Sequence, residues 1–274
     1  MINIGLTTAK QAELRPNSWA VYDQTSGKRI TFFELDELVK KTANGLMSLG
    51  LKKGDRVSIL SQNSIEFLSL FFACGRVGLV AHALNWRLGV EELSQIIKNG
   101  EPSVMITQGK FQSVAKDLQN KIDFIDHWLE YDVDSDHTFD LLLDQSPSTE
   151  PIIAKEIGDE DPFFILYTGG TTGVSKGALH THKSAYFGML NQTVAERIVP
   201  SDVYMLTGQM FHIPVLLAMN YTSHGCPIVL MNFDAELALN LIQEEKVSGF
   251  LGITTMLNWM LAVEGFDNYL SLIH

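Results

Sequence analysis

From Thr168 to Gly173 the chain reads Thr-Gly-Gly-Thr-Thr-Gly, and Lys176 and Gly177 follow three and four residues later. Three glycines and three hydroxyls leave almost no side-chain bulk in those six residues. Glycine tolerates positive φ and close approach to the main chain, so successive amide N–H groups can point into one concavity. The hydroxyls of Thr168, Thr171 and Thr172 add short donors, and Lys176 adds a mobile positive charge. Such a set suits phosphate. A Gly- and Thr-rich surface turn is the plain alternative, and composition alone would favour it. Hydroxyl pairs flanking glycines and closed by Gly173-Val-Ser-Lys176-Gly177 make that the weaker reading. Two common phosphate loops are excluded by spacing. A P-loop needs Lys directly after its last Gly and a hydroxyl after that Lys, whereas Val174 and Ser175 intervene here and Gly177 follows. A dinucleotide fingerprint, Gly-x-Gly-x-x-Gly, does not align either.

The apolar run 163–167 delivers the chain into this loop as a strand, and 178–181 carries it away as another. Strands are expected also at 20–23, 29–30, 57–60, 79–84, 103–107, 122–125, 202–206, 228–231 and 248–251. Between them helical spacing predicts helices over 31–49, 63–78, 91–98, 110–118, 184–197, 216–223 and 234–243, with another from 254. Thr31 and Glu34 form a capping box at the first of these, Gly50 ends it, and Asn63 with Glu66 opens the second. Residues 1–30 read as a lead-in. Alternating elements, with apolar runs rather than period-two strands, indicate α/β architecture with mostly parallel sheets covered on both faces.

The 274 residues suffice for a sizeable core, and 46% hydrophobic with 19% charged residues describe a folded, soluble chain. No apolar run approaches a membrane span, and the start lacks a basic-then-apolar leader, so a cytoplasmic protein is expected. Net charge is −12, and one segment carries all of it: residues 123–161 hold thirteen acids against Lys155 alone, leaving nineteen of each sign elsewhere. Such runs are usually solvated connectors. No basic face suits nucleic acid. Cys74 and Cys226 sit in apolar surroundings and read as reduced, buried thiols. His180 and His182 alternate on the strand after the loop, and a structural role outweighs metal binding there. No metal-ligating set is expected.

The stretch 167–178 resembles the signature loop of the adenylate-forming (AMP-binding) superfamily, [YF]-T-S-G-[ST]-T-G-x-P-K-G-[VA]. It matches at Tyr167, Thr168, Gly170, Thr171, Thr172, Gly173, Lys176, Gly177 and Ala178, and departs at Gly169, usually Ser, and Ser175, usually Pro. The chain's opening, with its helix start at Thr31 followed by Gly54-Asp55-Arg56-Val57, is similar to the family's, and Asn85-Trp86-Arg87-Leu88 recurs in acyl-CoA ligases. Read without the family, Trp86 is packing and Arg87 a surface charge. Phe211-His212 stands where the family has Pro-x-Phe-His, with Gln209 near the usual Pro and Val215 where Gly is common.

This resemblance implies an acyl-CoA synthetase that activates a fatty or aromatic carboxylic acid with ATP and Mg²⁺ and passes it to coenzyme A. Thr168, Gly169, Gly170, Thr171, Thr172, Gly173 and Lys176 would cradle the β- and γ-phosphates, with Lys176 and Thr172 catalytic and His212 bordering the acyl pocket. It implies two interleaved, mostly parallel sheets in αβαβα layers, one from about 75–200, the other from 15–74 with 201–274. The family's adenine, ribose and C-terminal Lys motifs do not occur in the sequence. The chain is therefore expected to be an N-terminal portion, inactive alone, ending at 270–274 in a strand, with an unpaired sheet edge inviting a homodimer. A truncated, inactive product retaining nucleotide or partner binding is the alternative.

Overall fold

The computed structural model describes residues 2–133, 138–168 and 175–272. Strands β3 (Arg56–Leu60), β4 (Val80–Leu84), β5 (Val104–Gln108), β6 (His127–Tyr131), β7 (Pro162–Thr168) and β8 (Lys176–Thr181) form a sheet in the order β6-β5-β3-β4-β7-β8. All neighbours run parallel except β7 and β8. A second sheet, ordered β11-β9-β10-β1-β2, joins β1 (Trp19–Asp23), β2 (Lys28–Thr31), β9 (Tyr204–Leu206), β10 (Ile228–Leu230) and β11 (Gly249–Phe250). Only its β1–β2 pair is antiparallel. Parallel neighbours require crossover connections, whose helices cover both faces, and β4 is accordingly buried at all five positions.

Helices α2 (Phe32–Ser48), α3 (Ile65–Val77) and α8 (Pro214–Ser223) fill the space between the sheets and share one apolar core with both. On the outer face of the six-stranded sheet lie α4 (Val90–Gly100) and α5 (Gln112–Gln119), and on that of the five-stranded sheet α9 (Ala235–Glu244) and α10 (Thr254–Leu261). The result is the expected αβαβα layering. Among the described residues, no helix is long and apolar enough to cross a membrane.

Local signals start and stop the central helices. Thr31 Oγ1 accepts from the Glu34 amide at 3.2 Å while Glu34 Oε2 accepts from the Thr31 amide at 2.7 Å, completing the capping box. Ser64 Oγ accepts from the Phe67 amide at 3.1 Å and caps α3, which ends on Gly78 at φ 77°. Every residue of α3 but Glu66 is buried, Arg76 included. The Arg76 guanidinium donates to Asp36 Oδ1 at 2.6 Å and grips both Glu150 carboxylate oxygens at 2.9 and 2.6 Å. Asp36 also accepts from Thr8 Oγ1 at 2.8 Å and pairs with Lys40 at 2.6 Å. Burial alone would raise the Asp36 carboxyl, but the hydrogen bonds from Arg76 and Lys40 outweigh it and hold the group below the usual range.

Several expectations change. The strand expected over 122–125 is absent; Ile122 and Ile125 are buried under the outer helices, and the strand is β6, five residues further on. Its acidic surroundings masked an alternation that the pairing with β5 makes use of. The acidic segment is not merely solvated, since Glu150 binds Arg76, and Asp161 pairs with Lys53 at 2.5 Å. The lead-in contains α1 (Thr7–Leu14), whose buried residues are the polar Thr8 and Gln11, leaving no apolar stripe to read. β3 pairs with β4 and β5, so the sheets change over after β2 rather than near residue 75. Residues 270–272 close a 3₁₀ helix, Phe266–Leu272, instead of forming a strand. Cys74 and Cys226 are free and buried, as expected.

Replacing Arg76 with Leu leaves the buried Asp36 carboxylate with Thr8 and Lys40 but without its guanidinium, and frees Glu150, and urea unfolding is expected to show a loss of roughly 3 kcal/mol. Because the folded Asp36 pKa lies below the unfolded one, the Asp36 contribution is complete above about pH 4 and lost as pH falls through the folded value. The Arg76→Leu penalty is therefore expected to shrink in acid; a penalty independent of pH would show that Asp36 is not the partner that matters.

Candidate functional site

Thr168 and Lys176 are register partners on β7 and β8, so the glycine loop leaves and re-enters the sheet at adjacent positions. Both are exposed, at the carboxyl end of β7. Among the described residues, no carboxylate pairs with the Lys176 ammonium. Gly169, Gly170, Thr171, Thr172 and Gly173 lie outside the described residues. A hydroxyl and an ammonium side by side, without an opposing carboxylate, fit an anionic ligand such as a nucleotide phosphate.

Aromatic packing fixes the strands beneath the loop. His180 stacks on Phe164 at 4.5 Å and His182 on Phe163 at 4.8 Å, and His182 Nδ1 accepts from the Ile4 amide at 3.3 Å. Both histidines thus have the structural role their spacing suggested, and burial pushes His182 down to about 4. On the other side, Tyr167 Oη donates to Asn99 Oδ1 at 2.5 Å, holding β7 to α4.

β4 runs beside β7 with Ala83 opposite Leu166, so Asn85 and Thr168 leave neighbouring strands at the same level. Trp86 follows. Its ring packs 6.0 Å from Phe111 and edge-on to Phe211 at 6.4 Å, the Arg87 guanidinium lies 5.1 Å from its centroid, and its Nε1 donates to Gln209 Oε1 at 2.9 Å. Packing was legible for Trp86; the bond to Gln209, which joins the two sheets, was not.

His212 lies in the turn between β9 and α8, its amide donating to the Gln209 carbonyl at 3.1 Å. The imidazole is half-buried, 4.8 Å from the buried Phe211 ring, and has no hydrogen-bond partner among the described residues. Burial, and then the charge of Arg87, hold its pKa below the usual histidine value, which favours a neutral ring at pH 7. Lys176 and Thr168 are thus brought together directly, and His212 is tied to the same carboxyl edge through Phe211, Trp86 and Gln209. Open parallel sheets place ligands at this edge.

Asn63 was expected only to open a helix. Ser64 is the cap, and the Asn63 amide instead donates to the carbonyls of Gly208 at 2.8 Å and Met231 at 3.0 Å, while its oxygen accepts from the Met210 amide at 2.9 Å. An Asn immediately before a residue that can itself cap was the available signal.

Residues 8–272 match the model of the AMP-binding enzyme family. The chain belongs to that family. It is 30% identical over 97% of its length to the long-chain-fatty-acid–CoA ligase FadD13 of Mycobacterium tuberculosis, covering 52% of that protein. Feruloyl-CoA synthase of an Amycolatopsis species is 29% identical over 92% of the chain, which covers 49% of it. The AMP-binding chain therefore spans about half the length of the curated relatives it matches. Among solved structures, the inhibitor-bound N-terminal domain of FACL13 from M. tuberculosis superposes with a TM-score of 0.91 at 30% identity, over 97% of this chain and 67% of that one.

The His212 ring protons, followed by NMR, are expected to titrate below about pH 6.5. Arg87→Gln is expected to move the midpoint upward, by less in high salt because Arg87 is exposed and screened. An unmoved midpoint at low salt would remove Arg87 from the field at His212.

Proposed function

We propose that this chain provides the phosphate-binding and part of the acyl-binding face of a cytoplasmic, ATP-dependent acid–thiol ligase that activates a carboxylic acid and transfers it to coenzyme A. The observation that carries this is the signature loop held between register-paired Thr168 and Lys176 at the carboxyl edge of a parallel sheet, in a member of the AMP-binding family. The named relatives act on a long-chain fatty acid and form feruloyl-CoA, which supports a fatty or an aromatic acid here.

A thioester cannot form downhill from a free carboxylate, whose oxygen is a poor leaving group. Attack of that oxygen on the α-phosphorus of ATP breaks the bond to the β-phosphate oxygen, releases pyrophosphate and gives an acyl-adenylate. A thiol then attacks the acyl carbon and AMP leaves. The first step brings two anions together, so positioning and charge stabilisation are the protein's main task. Lys176 and the Thr168 hydroxyl would hold the β- and γ-phosphates, with the amides and hydroxyls of Gly169 to Gly173 completing the cradle and Thr172 acting with Lys176 in catalysis. The neutral His212 ring would border the acid without repelling or trapping it as an ion pair. Among the described residues no group of three or more His, Cys, Asp or Glu could hold a metal, so Mg²⁺ would be held mainly by the nucleotide's phosphates and would supply charge neutralisation there.

Carboxylate-dependent pyrophosphate exchange tests this, in the chain itself and in a form extended to its relatives' length. Lys176→Ala is expected to lower exchange on the order of 10²-fold in the active form, with an unchanged melting temperature because Lys176 is exposed. Exchange at the wild-type rate would take Lys176 out of the site. Nucleotide binding without exchange in both forms would favour a product that retains binding alone.

Self-association through a sheet edge belongs to the same proposal. β11 lies at an edge but pairs over two residues, whereas β8 presents six, with Leu179 56% exposed. Sedimentation is expected to show concentration-dependent dimers that Leu179→Lys weakens; a monomer at all concentrations would exclude this.

A further inference from the structure

The loop 208–212, which carries His212, is anchored from the opposite sheet. Gly208, Gln209 and Met210 are held in succession by side chains from the carboxyl ends of β3 and β4, namely Asn63 and Trp86. The helix that follows adds main-chain support, the Val215 amide donating to the His212 carbonyl at 3.1 Å, but no side-chain cap. From the three Asn63 bonds we infer that Asn63 is the positioning residue that sets where His212 stands relative to the carboxyl edge of the six-stranded sheet, where Thr168 and Lys176 lie. The inference deepens the proposed function and rests on its placing of His212 beside the acyl group.

The chemistry of the site selects an amide of this length. Asn63 is 3% exposed, so water does not substitute for its partners. Both donors and the acceptor are used, each on a main-chain group: the Gly208 and Met231 carbonyls take the two amide protons and the Met210 N–H finds the oxygen. Aspartate has the same shape but would face two carbonyl oxygens with oxygens of its own. Alanine would leave two carbonyls and an N–H unpaired in the core. Gly208 packs closely on Pro214, where a Cβ would lie 2.5 Å from Pro214 Cγ, so this position admits no side chain. Gln209 is thus presented to Trp86, and the turn closed by the His212 amide holds the imidazole against Phe211 and near Arg87. Asn63 lies on the six-stranded sheet, as does the glycine loop, while the loop it grips belongs to the other sheet. A shift of one sheet on the other must therefore break these bonds before His212 can move away.

The test uses the whole chain. In the wild type, the Met210 amide is expected to exchange its hydrogen nearly as slowly as core amides although it lies outside any helix or strand; free exchange would overturn the inference without any variant. In Asn63→Ala, Met210 exchange is expected to accelerate on the order of 10²-fold more than in Leu239→Ala, a core truncation in an outer layer that serves as the stability control. The His212 titration midpoint is expected to rise toward the ordinary histidine value as the ring gains water, while that of His182 stays low, and Asn63→Asp is expected to show the larger loss of protection. An unchanged His212 midpoint in Asn63→Ala, with Met210 exchange no faster than in the control, would sink the proposal. Octanoate and benzoate, each added with ATP to the wild type, separate the two readings. If neither perturbs the His212 signals while Asn63→Ala still moves the midpoint, the positioning role stands and the acyl-pocket reading falls. If either perturbs them and Asn63→Ala changes nothing, the reverse holds.

Discussion

Helix α3 is enclosed by a sheet on each side, and its sequence, apolar around its whole circumference, allows no other place for it. That enclosure creates an obligation at each end. Main-chain and charged groups carried into the middle layer have no water to bind, so each must find a partner in the protein. At the carboxyl end Arg76 is met by Asp36 and Glu150, which recruits α2 and the acidic segment to the same point. At the amino end Ser64 caps the helix, and Asn63, one residue earlier, reaches into the other sheet. One buried helix thus ties the lead-in to the core at one end and the two sheets to each other at the other.

The candidate site forms at the amino end because the carboxyl ends of β3, β4 and β7 come out at that edge, together with those of β9 and β10. Each strand contributes a different part: β7 the glycine loop, β4 Trp86 and Arg87, β3 Asn63, and β9 the turn with His212. The parts differ in electrostatic character. Lys176 is exposed and unopposed by a described carboxylate, as suits a group meeting polyphosphate, whereas partial burial and the charge of Arg87 lower the His212 pKa and favour its neutral form. Separation of the charged and neutral functions follows from burial, with Thr168 and Lys176 at the surface and the histidine half inside the junction.

Much of this was legible in the chain itself. The helix start at Thr31 and the stop near Gly78 are local chemistry, and the alternation of apolar runs with helical periods was enough for layered α/β architecture. What was missed has common causes. β6 was hidden because its stretch carries the acids of 123–161, and α1 because it buries threonine and glutamine rather than an apolar stripe. The assignment of β3 to the wrong sheet reflects a choice that sequence order does not express, since β3–α3–β4 stays within one sheet while β2–α2–β3 passes from one sheet to the other.

The sequence by itself determined the loop chemistry, since glycines, hydroxyls and a lysine at that spacing need only the local backbone to face a phosphate, and the family pattern rests on those same residues. Which residues gather around His212 was decided only by the tertiary structure. Asn63 and Met210 are 147 residues apart, and Trp86 and Gln209 are 123 apart. Neither pair has a periodicity or motif linking its members, because the contact exists only once two separately wound sheets are packed on the same helix.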